Sequence, residues 1–153
     1  MADTSLNENR IGLLIWQISK LWQSKIRNKI SIFNISFNEY LILETIYYLS
    51  QFLDDINQVD IIKFSSIDKS VVSIKLTQLN KKKLIKKMIP IDNRSNKLVL
   101  TKEGNNIIEQ IIDDVVDTEN AFFSKLNQET FNFTNSLKLL LGKKIRIRAS
   151  YNE

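Results

Sequence analysis

The chain has 153 residues, 43% of them hydrophobic, which is enough for a single domain with a buried core. Lys and Arg number 22 against 17 Asp and Glu, a formal net charge of +5, and there is no Cys and no His. Those absences exclude disulfide scaffolds, thiol redox sensing, Cys/His zinc sites and any Cys/His or Ser/His nucleophile.

In chain order, Ile11, Leu14, Ile15, Ile18, Leu21, Trp22, Ile26 and Ile30 recur every three to four positions, so a long amphipathic helix is expected over 11–33. Ser36-Phe37-Asn38-Glu39 matches a capping box, with the Ser hydroxyl and the Glu carboxylate satisfying free backbone donors. A second helix follows to Leu49 or Phe52. Asp54-Asp55-Ile56-Asn57 reads as a polar break, with Asn57 as the cap of a short helix to about Phe64. Asp68 caps the next helix, over 68–83. The period then shortens: 84–91 and 97–100 read as two strands joined by the polar tip Asp92-Asn93-Arg94-Ser95-Asn96. Thr101 caps a long helix with the stripe Ile107, Ile108, Ile111, Ile112, Val115, Val116, Phe122 and Phe123. A last helix covers about 128–141 and stops near Gly142, before the basic tail 143–148. No linker or repeat is visible.

The charge is concentrated. From Asp68 to Lys102 there are ten basic residues and two acids, net +8, whereas the remainder carries 12 basic and 15 acidic residues, net −3. A cationic stripe suits a polyanion, because each neutralised phosphate releases counterions. A solvated lysine face is the plainer reading of the same pattern.

Two short helices, a tight turn and a hairpin with a basic tip form the layout of a winged helix-turn-helix. On a wheel of about 100° per residue, Val72, Leu76 and Leu79 of the second short helix point to the core. Ser70, Ile74, Thr77 and Lys81 lie opposite, flanked by Ser73 and Gln78. Small residues allow close approach to a groove, and hydroxyl and amide groups bond phosphates and base edges. Ile74 interrupts the polar pattern, either against a thymine methyl or as a sign of weak sequence reading.

The stretch 57–73, NQVDIIKFSSIDKSVVS, resembles the MarR (multiple-antibiotic-resistance regulator) family. Asp68, Lys69, Ser70 and Val72 match the family's Asp-Lys-Ser-x-Val-Thr ending, with Ser73 in place of Thr. Asp92-x-Arg94 followed by Leu98-x-Leu100-Thr101-x-x-Gly104 resembles its wing signature.

The resemblance implies a mainly α fold with a small β-hairpin wing, a six-helix subunit covering 1–153 as one domain. Dimerisation helices would lie at about 8–33 and 105–142, around a winged helix-turn-helix at about 36–101. It further implies a homodimer on double-stranded DNA, acting as a transcriptional regulator, with repression as the expected sign. Carried over by residue, the resemblance implies that Ser70, Ser73 and Thr77 are groove contacts, with Lys69 nearer the phosphates and Arg94 as the wing contact; Ile74, Gln78, Asn93 and Lys97 complete the candidate DNA-binding residues.

The departures are Ile74 and Asn93 where Arg is common, Lys83 for a helix-ending Gly, and Ile62 for an Ala at the helix–helix contact. The alternative to a sequence-specific regulator is a winged-helix interaction module or nucleoid-type protein without a defined operator.

No catalytic constellation or cofactor motif appears, so an enzyme is not expected. Asp54/Asp55 and the i,i+4 pair Asp113/Asp117 read as solvated acidic faces, not metal sites. Family members bind small effectors, for which Trp16, Trp22, Tyr40, Tyr47, Arg10 and Lys20 are the raw material here. Aromatic residues at helical spacing read first as core, and no ligand site is assigned. The polar start Met1-Ala2-Asp3-Thr4 and apolar runs far short of about 20 residues predict a cytoplasmic, nucleoid-associated protein with no signal peptide or membrane span.

Overall fold

The computed structural model describes residues 9–89 and 96–147. The elements are α1 (Ile11–Ile30), a 3₁₀ turn (Ser31–Phe33), α2 (Phe37–Leu49), α3 (Gln58–Ser65), α4 (Lys69–Lys81), β1 (Ile85–Met88) and β2 (Lys97–Leu100). They are followed by α5 (Lys102–Phe123), a 3₁₀ segment (Ser124–Glu129) and α6 (Thr130–Leu140). The fold is mainly helical with one antiparallel hairpin, in which Ile85 pairs with Leu100 and Met88 with Lys97. No helix among the described residues is long and apolar enough to cross a membrane.

The described residues form two compact units, divided between Thr118 and Glu119. In the first, α2 is the hub. Apolar residues surround most of this helix, and Phe37, Tyr40, Ile42, Leu43, Ile46 and Leu49 are all buried. It contacts α1, α3, α4 and β2. Ile26 and Ile30 enter the same core from α1, Ile61 from α3, and Ile108, Ile111 and Val115 from α5. Trp22 meets Phe37 edge-on, with ring centroids 5.4 Å apart.

Several expectations are corrected. Helix α1 ends at Ile30, because the last three residues tighten into a 3₁₀ turn that Asn34 closes at φ 54°. Its apolar stripe is buried only at Ile26 and Ile30; Ile11, Leu14, Ile15, Ile18 and Leu21 are exposed. Trp16 is likewise exposed, with the Lys20 ammonium 5.3 Å from its ring. Tyr40 is buried as core, as its spacing indicates.

The break at 54–57 is not wholly polar. Ile56 is buried, and its carbonyl accepts from Leu98 N at 2.7 Å, adding one backbone rung to β2 from outside the hairpin. Strand β1 ends at Met88, and Ile91 lies outside the described residues. Asp113 and Asp117 are exposed, as expected of a solvated face.

In the second unit, α6 begins at Thr130, because Asn127 breaks the helical path at φ 47°, ψ −118°. The Thr130 hydroxyl donates to the Asn127 carbonyl at 2.9 Å and holds that bend. The helix ends where Gly142 adopts φ 69°. Gly142 N donates to Leu139 O and Lys143 N to Lys138 O, the paired bonds of a Schellman cap. The Asn135 side-chain amide then bonds both N and O of Arg146, at 3.0 and 2.7 Å.

Candidate nucleic-acid interface

Helix α4 is set by its neighbours in sequence. Asn57 accepts from Asp60 N at 3.1 Å while the Asp60 carboxylate accepts from Asn57 N at 3.0 Å, a complete capping box that starts α3. Ser66, at φ 58°, ends α3 and turns the chain. Asp68 then stands at the N-cap of α4, but its exposed carboxylate makes no cap bond; its backbone carbonyl takes Val72 N at 2.9 Å. Water competes well for an exposed carboxylate, so the expected side-chain cap is absent here.

Val72, Leu76 and Leu79 are fully buried, as the wheel predicts. The opposite face carries exposed Ser70, Ser73, Ile74 and Thr77, with Lys69 and Lys81 exposed at its ends and Gln78 half-buried at its flank. Ile74 is 57% exposed, an apolar group on an otherwise polar surface.

Two hydroxyls of this face are already oriented. Gln58 Nε2 donates to Ser73 Oγ at 2.6 Å, leaving the Ser73 proton to donate outward. Thr77 Oγ1 donates to the Ser73 carbonyl at 3.1 Å, so Thr77 presents acceptor lone pairs. A donor and an acceptor one turn apart suit base edges or phosphates in a groove.

Among the described residues the cationic stripe divides into two sets. Lys69, Lys81, Lys83, Lys86, Lys87 and Lys102 are exposed. Three others are bound within the protein. Lys82 Nζ donates to Glu39 Oε2 and to Asn34 O, each at 2.7 Å. Lys75 Nζ donates to Gln78 Oε1 at 3.0 Å and stands 3.8 Å from Glu39 Oε1. Lys97 pairs with the exposed Asp55 at 3.1 Å, a surface bridge that a competing phosphate can replace.

Glu39 therefore departs from its expected role. Glu39 N donates to Ser36 Oγ, completing half of the capping box, but the carboxylate accepts from the Ser36 hydroxyl and from Lys82, with Lys75 close by as an ion-pair partner. A buried carboxylate is favoured only with a cation beside it, and α4 supplies two.

The wing rises from a rigid base. Helix α4 ends in a full Schellman cap: Leu84 N reaches Leu79 O and Lys83 N reaches Asn80 O, each at 3.0 Å, with both leucines buried. Lys83 occupies the left-handed position at φ 59°, where Gly is the unstrained residue. On the hairpin, Lys86, Lys87 and Met88 are exposed. Asn93 and Arg94, the expected wing-tip residues, lie outside the described residues.

This arrangement of helix, turn, helix and hairpin is a winged helix-turn-helix fold, similar to that of solved MarR-family regulators. No family model matches the chain. Over 131 residues it is 27% identical to YdcH, an uncharacterized HTH-type transcriptional regulator of Bacillus subtilis, covering 85% of this chain and 88% of that one. It is similar to S. aureus MepR, solved in a DNA complex, at 26% identity and a TM-score of 0.78, over 89% of this chain and 97% of MepR. A MarR-family regulator from Silicibacter pomeroyi shares the fold at a TM-score of 0.70 and 20% identity, over 92% and 93% of the two chains.

Proposed function

We propose that this chain is a homodimeric, sequence-specific DNA-binding transcriptional regulator, a repressor that occludes promoters carrying a pseudo-palindromic operator. The observation that carries the reading is the outward face of α4. A buried stripe fixes the helix while Ser70, Ser73, Ile74 and Thr77 project from it with the exposed Lys69 and Lys81 at either end. Likeness to MepR in its DNA complex supports placing that face in the major groove.

On this reading Lys69 meets phosphates at the helix start, Ser70, Ser73, Thr77 and Gln78 face base edges, and Ile74 packs on a thymine methyl. Asn93, Arg94 and Lys97 serve the wing, with Arg94 in the adjacent minor groove. The homodimer is supported by the apolar stripe of α1, since Ile11, Leu14, Ile15 and Ile18 share one face that the described residues leave exposed. DNA occupancy would place the protein at the nucleoid, and no catalytic role enters the reading.

Genome-wide footprinting tests it. The expected sites contain two half-sites related by a pseudo-twofold, with centres about 10 bp or a multiple apart. Occupancy spread without a motif would favour a nucleoid-type or partner-binding module.

A further inference from the structure

Glu39 is the buried charged residue among the described residues, its side chain 4% exposed. It sits in the first turn of α2, yet both of its cationic partners belong to α4 or its cap. Lys82 is in direct contact at 2.7 Å, and Lys75 is two helical turns earlier on the same flank. The Lys82 ammonium has a second acceptor in the Asn34 carbonyl, and the Lys75 ammonium has one in Gln78. One cation of α4 and one at its cap are thereby engaged within the protein.

That arrangement has a consequence for specificity. Contacts between lysine and phosphate strengthen binding to every sequence alike, and specificity is the margin by which the operator exceeds that background. Lys81, Lys82 and Lys83 are consecutive, and with Lys86 and Lys87 they would make the end of α4 and the start of the wing a dense, sequence-blind polyanion site. One buried carboxylate removes the middle lysine of the triplet and Lys75 from that set. It also braces α4 on α2, so the helix face is presented at a fixed angle.

We propose that Glu39 is a specificity-determining residue, which withholds Lys75 and Lys82 from the DNA backbone while positioning α4. The proposal rests on the DNA-binding reading given above. It assigns the non-specific phosphate contacts to the exposed lysines, Lys69 among them, and none to Lys75 or Lys82.

The test is the salt dependence of affinity for a short random-sequence DNA duplex, measured for the wild type and for Lys69→Gln, Lys82→Gln, Lys75→Gln and Glu39→Gln. Each phosphate contact contributes about 0.9 to the slope of log K against log salt. Lys69→Gln should make the slope shallower by about one per subunit, whereas Lys82→Gln and Lys75→Gln leave it unchanged. Glu39→Gln keeps the shape and an acceptor oxygen but removes the charge. It should steepen the slope and bind random duplex more tightly at low salt, so the ratio of operator to random affinity falls.

A shallower slope in either Lys82→Gln or Lys75→Gln overturns the proposal, because it makes that lysine a phosphate ligand. An unchanged slope for a folded Glu39→Gln protein, or loss of its binding, reduces Glu39 to a brace and overturns the specificity role. If Lys82→Gln does not fold, Lys75→Gln decides the same question. A wild type that binds no duplex at all fails the DNA-binding reading itself, an outcome distinct from a change of slope.

Discussion

The Lys83 carbonyl accepts the Thr101 hydroxyl proton at 2.7 Å, tying the end of α4 to the start of α5 across the base of the wing. The same Thr101 oxygen accepts from Gly104 N at 3.0 Å, and Thr101 N donates to Leu84 O at 3.0 Å. One threonine thus caps a helix, closes the hairpin and fixes the turn that follows α4.

The left-handed backbone of Lys83 is the strained element in that knot. Lys83→Gly should raise stability by about 0.5–1 kcal/mol by relieving the Cβ clash. Lys83→Val should lower stability, because a β-branched side chain tolerates positive φ poorly. Urea midpoints for the two variants check the ordering.

Gly104 packs against the same turn. A Cβ there would run into the Leu84 carbonyl, which is backbone and is already engaged by Thr101 N. Gly104→Ala should therefore force α5 away from the hairpin, at a cost of about 1–3 kcal/mol. A denaturation midpoint equal to wild type would show that the close approach is not required.

Much of this was legible in the sequence because it is local. The buried stripe of Val72, Leu76 and Leu79 follows from helical spacing, and the caps at Ser36, Asn57 and Thr101 follow from side chains three residues from their partners. What escaped is long-range or depends on where a long side chain turns. Glu39 and Lys82 are 43 residues apart, so the glutamate in Ser-Phe-Asn-Glu reads as a cap and the lysine as part of a basic run. Ile56 sits alone among polar residues, and only its bond to Leu98, across the hairpin, shows the added rung. The stop at Asn127 has no strong breaker, since Asn only tolerates positive φ. The exposure of the α1 stripe is invisible to periodicity, which marks an apolar face without saying whether its cover comes from the same chain.

That face makes a direct prediction. Ile11→Asp combined with Ile15→Asp places charges where a dimer would desolvate them, while disturbing no buried contact of the subunit. Sedimentation should shift from dimer to monomer with helix content retained. A mass unchanged by the substitutions would remove α1 from the interface.

On the proposed reading, Arg94 enters the minor groove beside the helix. Arg94→Ala should weaken operator binding by about 1–3 kcal/mol and relax preference at the bases next to the wing. Fluorescence anisotropy on matched operators reads both effects, and unchanged affinity would take Arg94 out of the mechanism.

The central claim is that the face of α4 reads a sequence and does not merely hold a polyanion. Titrating genomic fragments recovered by footprinting against random duplex, at ~150 mM salt, measures this most directly. The account predicts a preference on the order of 10³ or more for the recovered site. Equal affinity for both duplexes would contradict it.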